Sequence, residues 1–209
     1  MMTRYNPLIL AAALVIALIA GVLLWRAGSE PVTAGSSGEA SSSAQGTGIA
    51  TIGGPFTLTD ETGHEVTDAD FTGKYMLIYF GFTSCPDVCP TELQAMTTAI
   101  DALGAAGDNI QPVLVSVDPE RDTPEVLAPY VKQFSPRLKG LTGTPDQLAA
   151  VAKEYKVFYE KVKDETSSDD YTMDHSSVVY LMGPDGKFLT FFGPGTTPDK
   201  MAEKIKSLM

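Results

Sequence analysis

The chain has 209 residues and a formal net charge of −11. An acidic protein of this kind is a poor ligand for nucleic acid or for anionic lipid surfaces, so neither is expected as a partner. Two cysteines are too few for a disulfide scaffold, while a hydrophobic content of 44% supports one core of ordinary size.

The first predicted element lies before the globular part. Leu8 to Trp25 carries no charge, and a bilayer core takes about 20 apolar residues. Residues 1–27 are therefore read as a membrane anchor, a single transmembrane helix preceded by Arg4 on the cytoplasmic side. A cleaved signal peptide is the alternative, with Val32-Thr33-Ala34 as its cleavage site, but the run is longer than the usual signal core. Either way the remainder leaves the cytoplasm. The expected location is a bacterial inner membrane with the soluble domain in the periplasm, where thiols need a dedicated reductant to stay reduced. Residues 28–48 are rich in Ser and Gly, lack periodicity and read as a flexible tether spanning about 25 Å. The globular domain is expected over residues 49–209.

Within it, Phe56 to Thr59 alternates, residues 60–64 supply a turn and Glu65-Val66-Thr67 returns, a β-hairpin pattern. Tyr75 to Phe80 is unbroken apolar sequence, as in a central strand covered on both faces. Leu93, Met96, Ile100 and Leu103 recur at helical spacing. Gln111 to Val117 reads as a second buried strand. Pro124 then opens a helix capped by Thr123, with Val126, Leu127, Tyr130 and Val131 on its inner face. Thr144 and Gln147 have capping-box spacing at the start of a third helix running through Tyr155. Val157 to Val162 is strand-like, residues 164–170 form an acidic Ser-rich loop, and Tyr171 to Ser176 follows. Ser177 to Met182 and Phe188 to Phe192 flank a Pro184-Asp185-Gly186 turn as an antiparallel pair. Residues 198–208 form a last amphipathic helix. The sum is an α/β, thioredoxin-like fold with an N-terminal β-hairpin and an inserted loop or hairpin, preceded by the one transmembrane helix.

Both cysteines lie in Gly81-Phe82-Thr83-Ser84-Cys85-Pro86-Asp87-Val88-Cys89-Pro90, between the apolar strand and the helix after it. Pro86 and Pro90 each disfavour helical backbone in the residue before. A tight loop through Cys89 is therefore expected, with the regular helix starting near Pro90 and Thr91 and Gln94 at capping-box spacing. The helix N-terminus favours thiolate. Close thiolates at a strand end either form a reversible disulfide or hold a soft cation; a structural disulfide is the bland alternative. Zinc commonly takes four ligands, and this domain offers two cysteines and two histidines. His175, beside a polar loop, is the candidate third ligand. Two thiolates with an imidazole suit copper, Cu(I) through sulfur and Cu(II) through the added nitrogen. His64 competes but falls in a hairpin turn.

These residues carry a resemblance. The 81–90 segment is similar to the signature of the Sco/SenC family of copper-binding assembly proteins. Asp118-Pro119-Glu120-Arg121-Asp122-Thr123-Pro124 and Asp174-His175-Ser176 match that family's other two motifs in the right order. The likeness covers about residues 50–209. It implies copper held by Cys85, Cys89 and His175, and a redox-active Cys85–Cys89 pair. It also implies a metallochaperone role in building the dinuclear copper centre of cytochrome c oxidase. The implied partners are the oxidase's copper-bearing subunit, other copper chaperones and thiol–disulfide reductants. A thiol–disulfide oxidoreductase acting on that subunit's cysteines is the alternative, and behind it a peroxiredoxin-type peroxidase, which would need Arg121 or Arg137 near the thiolate. Asp118 could orient His175 or merely end a strand. Asp174 reads as solvated and Met173 as packed.

Overall fold

The computed structural model describes residues 51–164 and 171–209. The expected anchor and tether, and residues 165–170 of the acidic loop, lie outside the described residues. Among the described residues no helix is long and apolar enough to cross a membrane.

The centre of the fold is β3 (Tyr75–Gly81), in which Met76 to Phe80 are all buried. It runs parallel to β4 (Ile110–Ser116) and antiparallel to β8 (Val179–Met182), with Gly81 level with Ser116. A parallel neighbour requires a crossover. Helix α1 (Val88–Ala102) provides it from β3 to β4, and α2 (Pro124–Lys132) from β4 to β5 (Lys139–Thr142). The N-terminal hairpin, β1 (Thr57–Asp60) with β2 (Glu65–Thr67), adds to the free side of β5. Helix α3 (Pro145–Tyr155) follows β5, and β9 (Phe188–Phe192) pairs with β8. The seven-stranded order is β2-β1-β5-β4-β3-β8-β9. Helix α4 (Pro198–Lys206) returns to pack beside α1. This is the expected α/β, thioredoxin-like architecture.

The inserted hairpin is a second, two-stranded sheet, β6 (Tyr159–Lys163) with β7 (Tyr171–His175), in which Tyr159 is level with His175. It hangs from the frame as a separate ladder.

Local signals decide several boundaries. The Thr144 box forms: Gln147 N–H donates to Thr144 Oγ1 at 3.3 Å, and Gln147 Oε1 accepts from Thr144 N–H at 2.8 Å. Two expectations need correcting. Helix α1 starts at Val88 rather than near Pro90. The first-turn N–H groups have no partner within the helix, so Pro90 loses nothing there and Cys89 takes helical backbone. Thr91 Oγ1 donates to the Asp87 carbonyl at 2.9 Å instead of capping toward Gln94. In α2, Leu127 and Val131 are buried but Val126 is 41% exposed. Pro124 does sit in the first turn, while Thr123 caps without a side-chain hydrogen bond.

Candidate functional site

Functional groups in open α/β sheets collect beyond the carboxyl ends of the strands. Here β3 and β4 end side by side, and Val117 N–H donates to the Gly81 carbonyl at 2.9 Å. The chain leaves β3 through Phe82 and Thr83, turns through Cys85 and enters α1. Gly81 makes this close approach feasible. A Cβ at that position would stand 2.7 Å from Tyr79 Cε1 and 3.0 Å from Cys89 Sγ.

The two thiols have unlike surroundings. Cys89 is fully buried and Cys85 half-buried, and both are free. Cys89 N–H donates to Cys85 Sγ at 3.4 Å, and Tyr79 Oη–H points at Cys89 Sγ at 3.7 Å. The Cys89 thiol hydrogen-bonds to Cys85, which holds Cys85 down at about 4 against the opposing effect of burial. His175 and the backbone N–H groups of Asp87 and Cys89 add to the depression. That same thiol–thiol bond, with burial, pushes Cys89 well up. One sulfur is thus an accessible thiolate and its neighbour a buried thiol. Iodoacetamide should therefore label Cys85 nearly as fast at pH 6 as at pH 8, slowing only as pH falls toward about 4. An ordinary thiol would slow roughly a hundredfold between pH 8 and pH 6. Labelling rates from peptide mass spectrometry check this, and a rate climbing tenfold per pH unit through neutrality would contradict it.

His175 completes the group. β7 brings its Nε2 to 3.5 Å from Cys89 Sγ, across 86 positions of sequence. The imidazole stands edge-on to Phe82 (5.7 Å, 87°) and Tyr79 (6.0 Å, 75°), with Nδ1 3.4 Å from the Ser176 carbonyl oxygen. By the measure of zinc, whose sulfur and nitrogen bonds are about 2.3 and 2.0 Å, two donors on one first-row ion at a near-tetrahedral angle stand about 3.5 Å apart. The observed contact is of that size. No set of three or more His, Cys, Asp or Glu side chains among the described residues is already arranged as a metal cage. The three candidates are linked by hydrogen bonds to one another.

The other sequence candidates are placed elsewhere. His64 is exposed in the β1–β2 turn, its Nδ1 2.8 Å from Thr62 Oγ1. Asp174 is exposed and Met173 is in the core. Asp118 is buried and accepts from Tyr171 Oη–H at 3.0 Å and from Arg121. Arg137 serves the far end of the sheet, donating to the Ile110 carbonyl at 2.8 Å where β4 begins.

Sequence reading missed Asp122. Buried at the start of α2, it accepts from Ser116 Oγ–H at 2.6 Å, from Thr83 N–H at 3.0 Å and from Thr83 Oγ1–H. It joins the end of β4 to the entrance of the cysteine loop. Burial raises its carboxyl above the ordinary range against these hydrogen bonds. The available signal was a carboxylate between a buried strand and a Thr-Pro helix start.

The human protein "Protein SCO1 homolog, mitochondrial" is 47% identical over 161 residues, 76% of this chain. The chain spans about half the length of that relative, 53%. The copper-bound structure of ScoI from Bradyrhizobium japonicum is 44% identical with a TM-score of 0.69, covering 76% of this chain and 99% of that one. BsSco, described as having a disulfide switch and as a member of the Sco family of cytochrome c oxidase assembly proteins, is 28% identical with a TM-score of 0.59. It covers 76% of this chain and 94% of that structure. The SCO1/SenC family model matches residues 44–209, a span holding both cysteines, the Asp118–Pro124 loop and His175, and the chain belongs to the SCO1/SenC family.

Proposed function

We propose that this protein is a membrane-tethered copper chaperone for assembly of the dinuclear copper centre of cytochrome c oxidase. Copper is its cargo, held by Cys85, Cys89 and His175. The observation that carries the reading is the 3.5 Å approach of His175 Nε2 to Cys89 Sγ, beside the Cys85 thiolate. Thiolate sulfur selects Cu(I), and imidazole extends tolerance to Cu(II). Three protein donors leave a coordination position open for the recipient. The copper bound by the related ScoI and the oxidase-assembly role of BsSco support the cargo and the destination. Residues 1–27 would anchor the chain, 28–48 would tether it, and 49–209 would be the copper-binding domain, in the periplasm of a bacterial inner membrane. Its partners are the copper-bearing oxidase subunit, copper donors and thiol–disulfide reductants.

A second reading, thiol–disulfide oxidoreductase, is favoured by the unequal thiols. The Cys85 thiolate would attack one sulfur of a target disulfide, forming a mixed disulfide and releasing the other as thiolate. Cys89 would pass its proton to the leaving sulfur and attack Cys85. The target gains two electrons and this protein ends with a Cys85–Cys89 disulfide.

Titrating the reduced full chain with Cu(II) tests the main reading, with thiolate-to-copper charge-transfer absorption as the signal. One equivalent should bind. The Cys85–Cys89 disulfide removes both thiolates, so the oxidised chain should bind none until a reductant restores the site. Tight stoichiometric copper binding by the fully oxidised chain would refute the thiolate site.

A further inference from the structure

The hairpin that carries His175 shares no backbone ladder with the seven-stranded sheet among the described residues. Short connections, 156–158 and 176–178, tie its base to the frame, and side-chain contacts must set how the rest of it lies over the thiols. We infer that the 118–121 loop is a clamp that positions His175, with Arg121 and Tyr171 as its working pair. This rests on His175 being a copper ligand, as proposed above.

Both strands of the hairpin are gripped by that loop. From β7, Tyr171 gives its hydroxyl hydrogen to Asp118 at 3.0 Å, and its carbonyl accepts from Arg121 Nη1 at 3.2 Å. The Arg121 guanidinium carbon and Lys161 Nζ each stand 3.9 Å from the centre of the Tyr171 ring. From β6, Lys161 also pairs with Glu120 at 2.7 Å. Asp118 carries one end of this set and is itself anchored, its N–H donating to Ser116 Oγ at 3.0 Å. The anchoring thus reaches the end of β4, next to the strand that leads to the cysteines.

Arg121 acts on the imidazole from a second side. Its guanidinium carbon is 5.7 Å from the Phe82 ring, and Phe82 backs His175 edge-on. One planar cation therefore contacts the ring behind the ligand and the strand that carries it. A planar guanidinium lies flat on a ring while its edge donates in fixed directions; a lysine ammonium is a point charge with no flat face and no rigid fork. Tyr171 and His175 are four positions apart on β7, about 13 Å at strand rise. A metal ligand has to be placed within about 0.2 Å. Without the clamp β7 is free to twist along its length and turn the imidazole, while Cys85 and Cys89 stay fixed by β3 and α1.

The test uses the reduced full chain, Cu(II) and Cu(I) as probes, and the variants Tyr171→Ala, Tyr171→Phe and Arg121→Lys. Tyr171→Ala should lower Cu(II) affinity about 10–100-fold and alter its charge-transfer spectrum, the usual effect of removing a partner that orients a ligand. Cu(I) affinity and the reduction potential of the cysteine pair should change little, because they depend on sulfur. A general loss of structure would move all three readouts together. Tyr171→Phe keeps the ring between its cations and should recover most of the Cu(II) affinity, whereas Arg121→Lys should resemble Tyr171→Ala. These two milder variants decide the matter if Tyr171→Ala does not fold. His175→Ala is titrated alongside. If it loses Cu(II) while folded Tyr171 and Arg121 variants stay within about twofold of the parent, the clamp is wrong and the ligand stands. If His175→Ala also keeps Cu(II), His175 is not a ligand, and the reading on which the clamp rests has failed at that residue.

Discussion

Replacing His175 by alanine should abolish or render labile the Cu(II) site while sparing the chemistry of the thiols. The disulfide needs only two sulfurs, so His175→Ala should still oxidise and reduce. Cu(I) accepts two thiolates alone, so its affinity should fall without vanishing. Cu(II) prefers the added nitrogen, and loss of a direct ligand should cost more than the 10–100-fold typical of an outer partner. The geometry makes the separation clean. His175 approaches Cys89 from β7, whereas both cysteines belong to the β3–α1 junction. The same variant separates the two proposed functions in cells. If copper transfer is the task, oxidase copper content and activity should fall although the protein is present and redox-active. If reduction is the task, loading should survive. An unchanged Cu(II) spectrum would show that His175 is not a ligand.

What was readable from the sequence follows the range of each physical signal. The unbroken apolar run of β3, the Thr144–Gln147 box and the β8–β9 turn are local, and each appears where expected. Strand β5 was not legible: Lys139-Gly140-Leu141-Thr142 has no apolar run, and it is a strand because β1 and β4 flank it. The Pro90 boundary failed because a bias on the preceding residue weakens in a first helical turn, where proline is tolerated. At the site, the cysteines were legible from spacing, and His175 from its own motif and the family resemblance. What joins the motifs was hidden. Asp118 holds Tyr171, and Asp122 holds Thr83, through contacts 53 and 39 positions apart. Hydrogen bonds of that range leave no periodicity in a single sequence.

Asp122→Ala should be the most destabilising single change at the site that touches none of the three proposed ligands. Its carboxylate takes three hydrogen bonds, from Ser116 Oγ and from both N–H and Oγ1–H of Thr83. Ser116 and Asp122 are fully buried. Alanine would leave those donors without an acceptor in a place water does not readily reach. Hydrogen bonds to charged groups contribute roughly 1.5–3 kcal/mol each, partly offset here because the buried carboxyl is itself costly, so a net loss of about 3 kcal/mol is expected. At roughly 2–4 °C per kcal/mol for a domain of this size, the melting temperature should drop by about 6–12 °C. A loss below about 1 kcal/mol in urea titration would mean the donors find other partners and the pin is dispensable. The effect should also be coupled. In Thr83→Val the hydroxyl is already gone, so adding Asp122→Ala should cost less than it does in the parent, by about 0.5–3 kcal/mol. Such coupling would place the stability of the cysteine loop in the contact between Thr83 and Asp122, two residues before Cys85 and beyond the end of β4. Simple additivity would place it in the helix start alone.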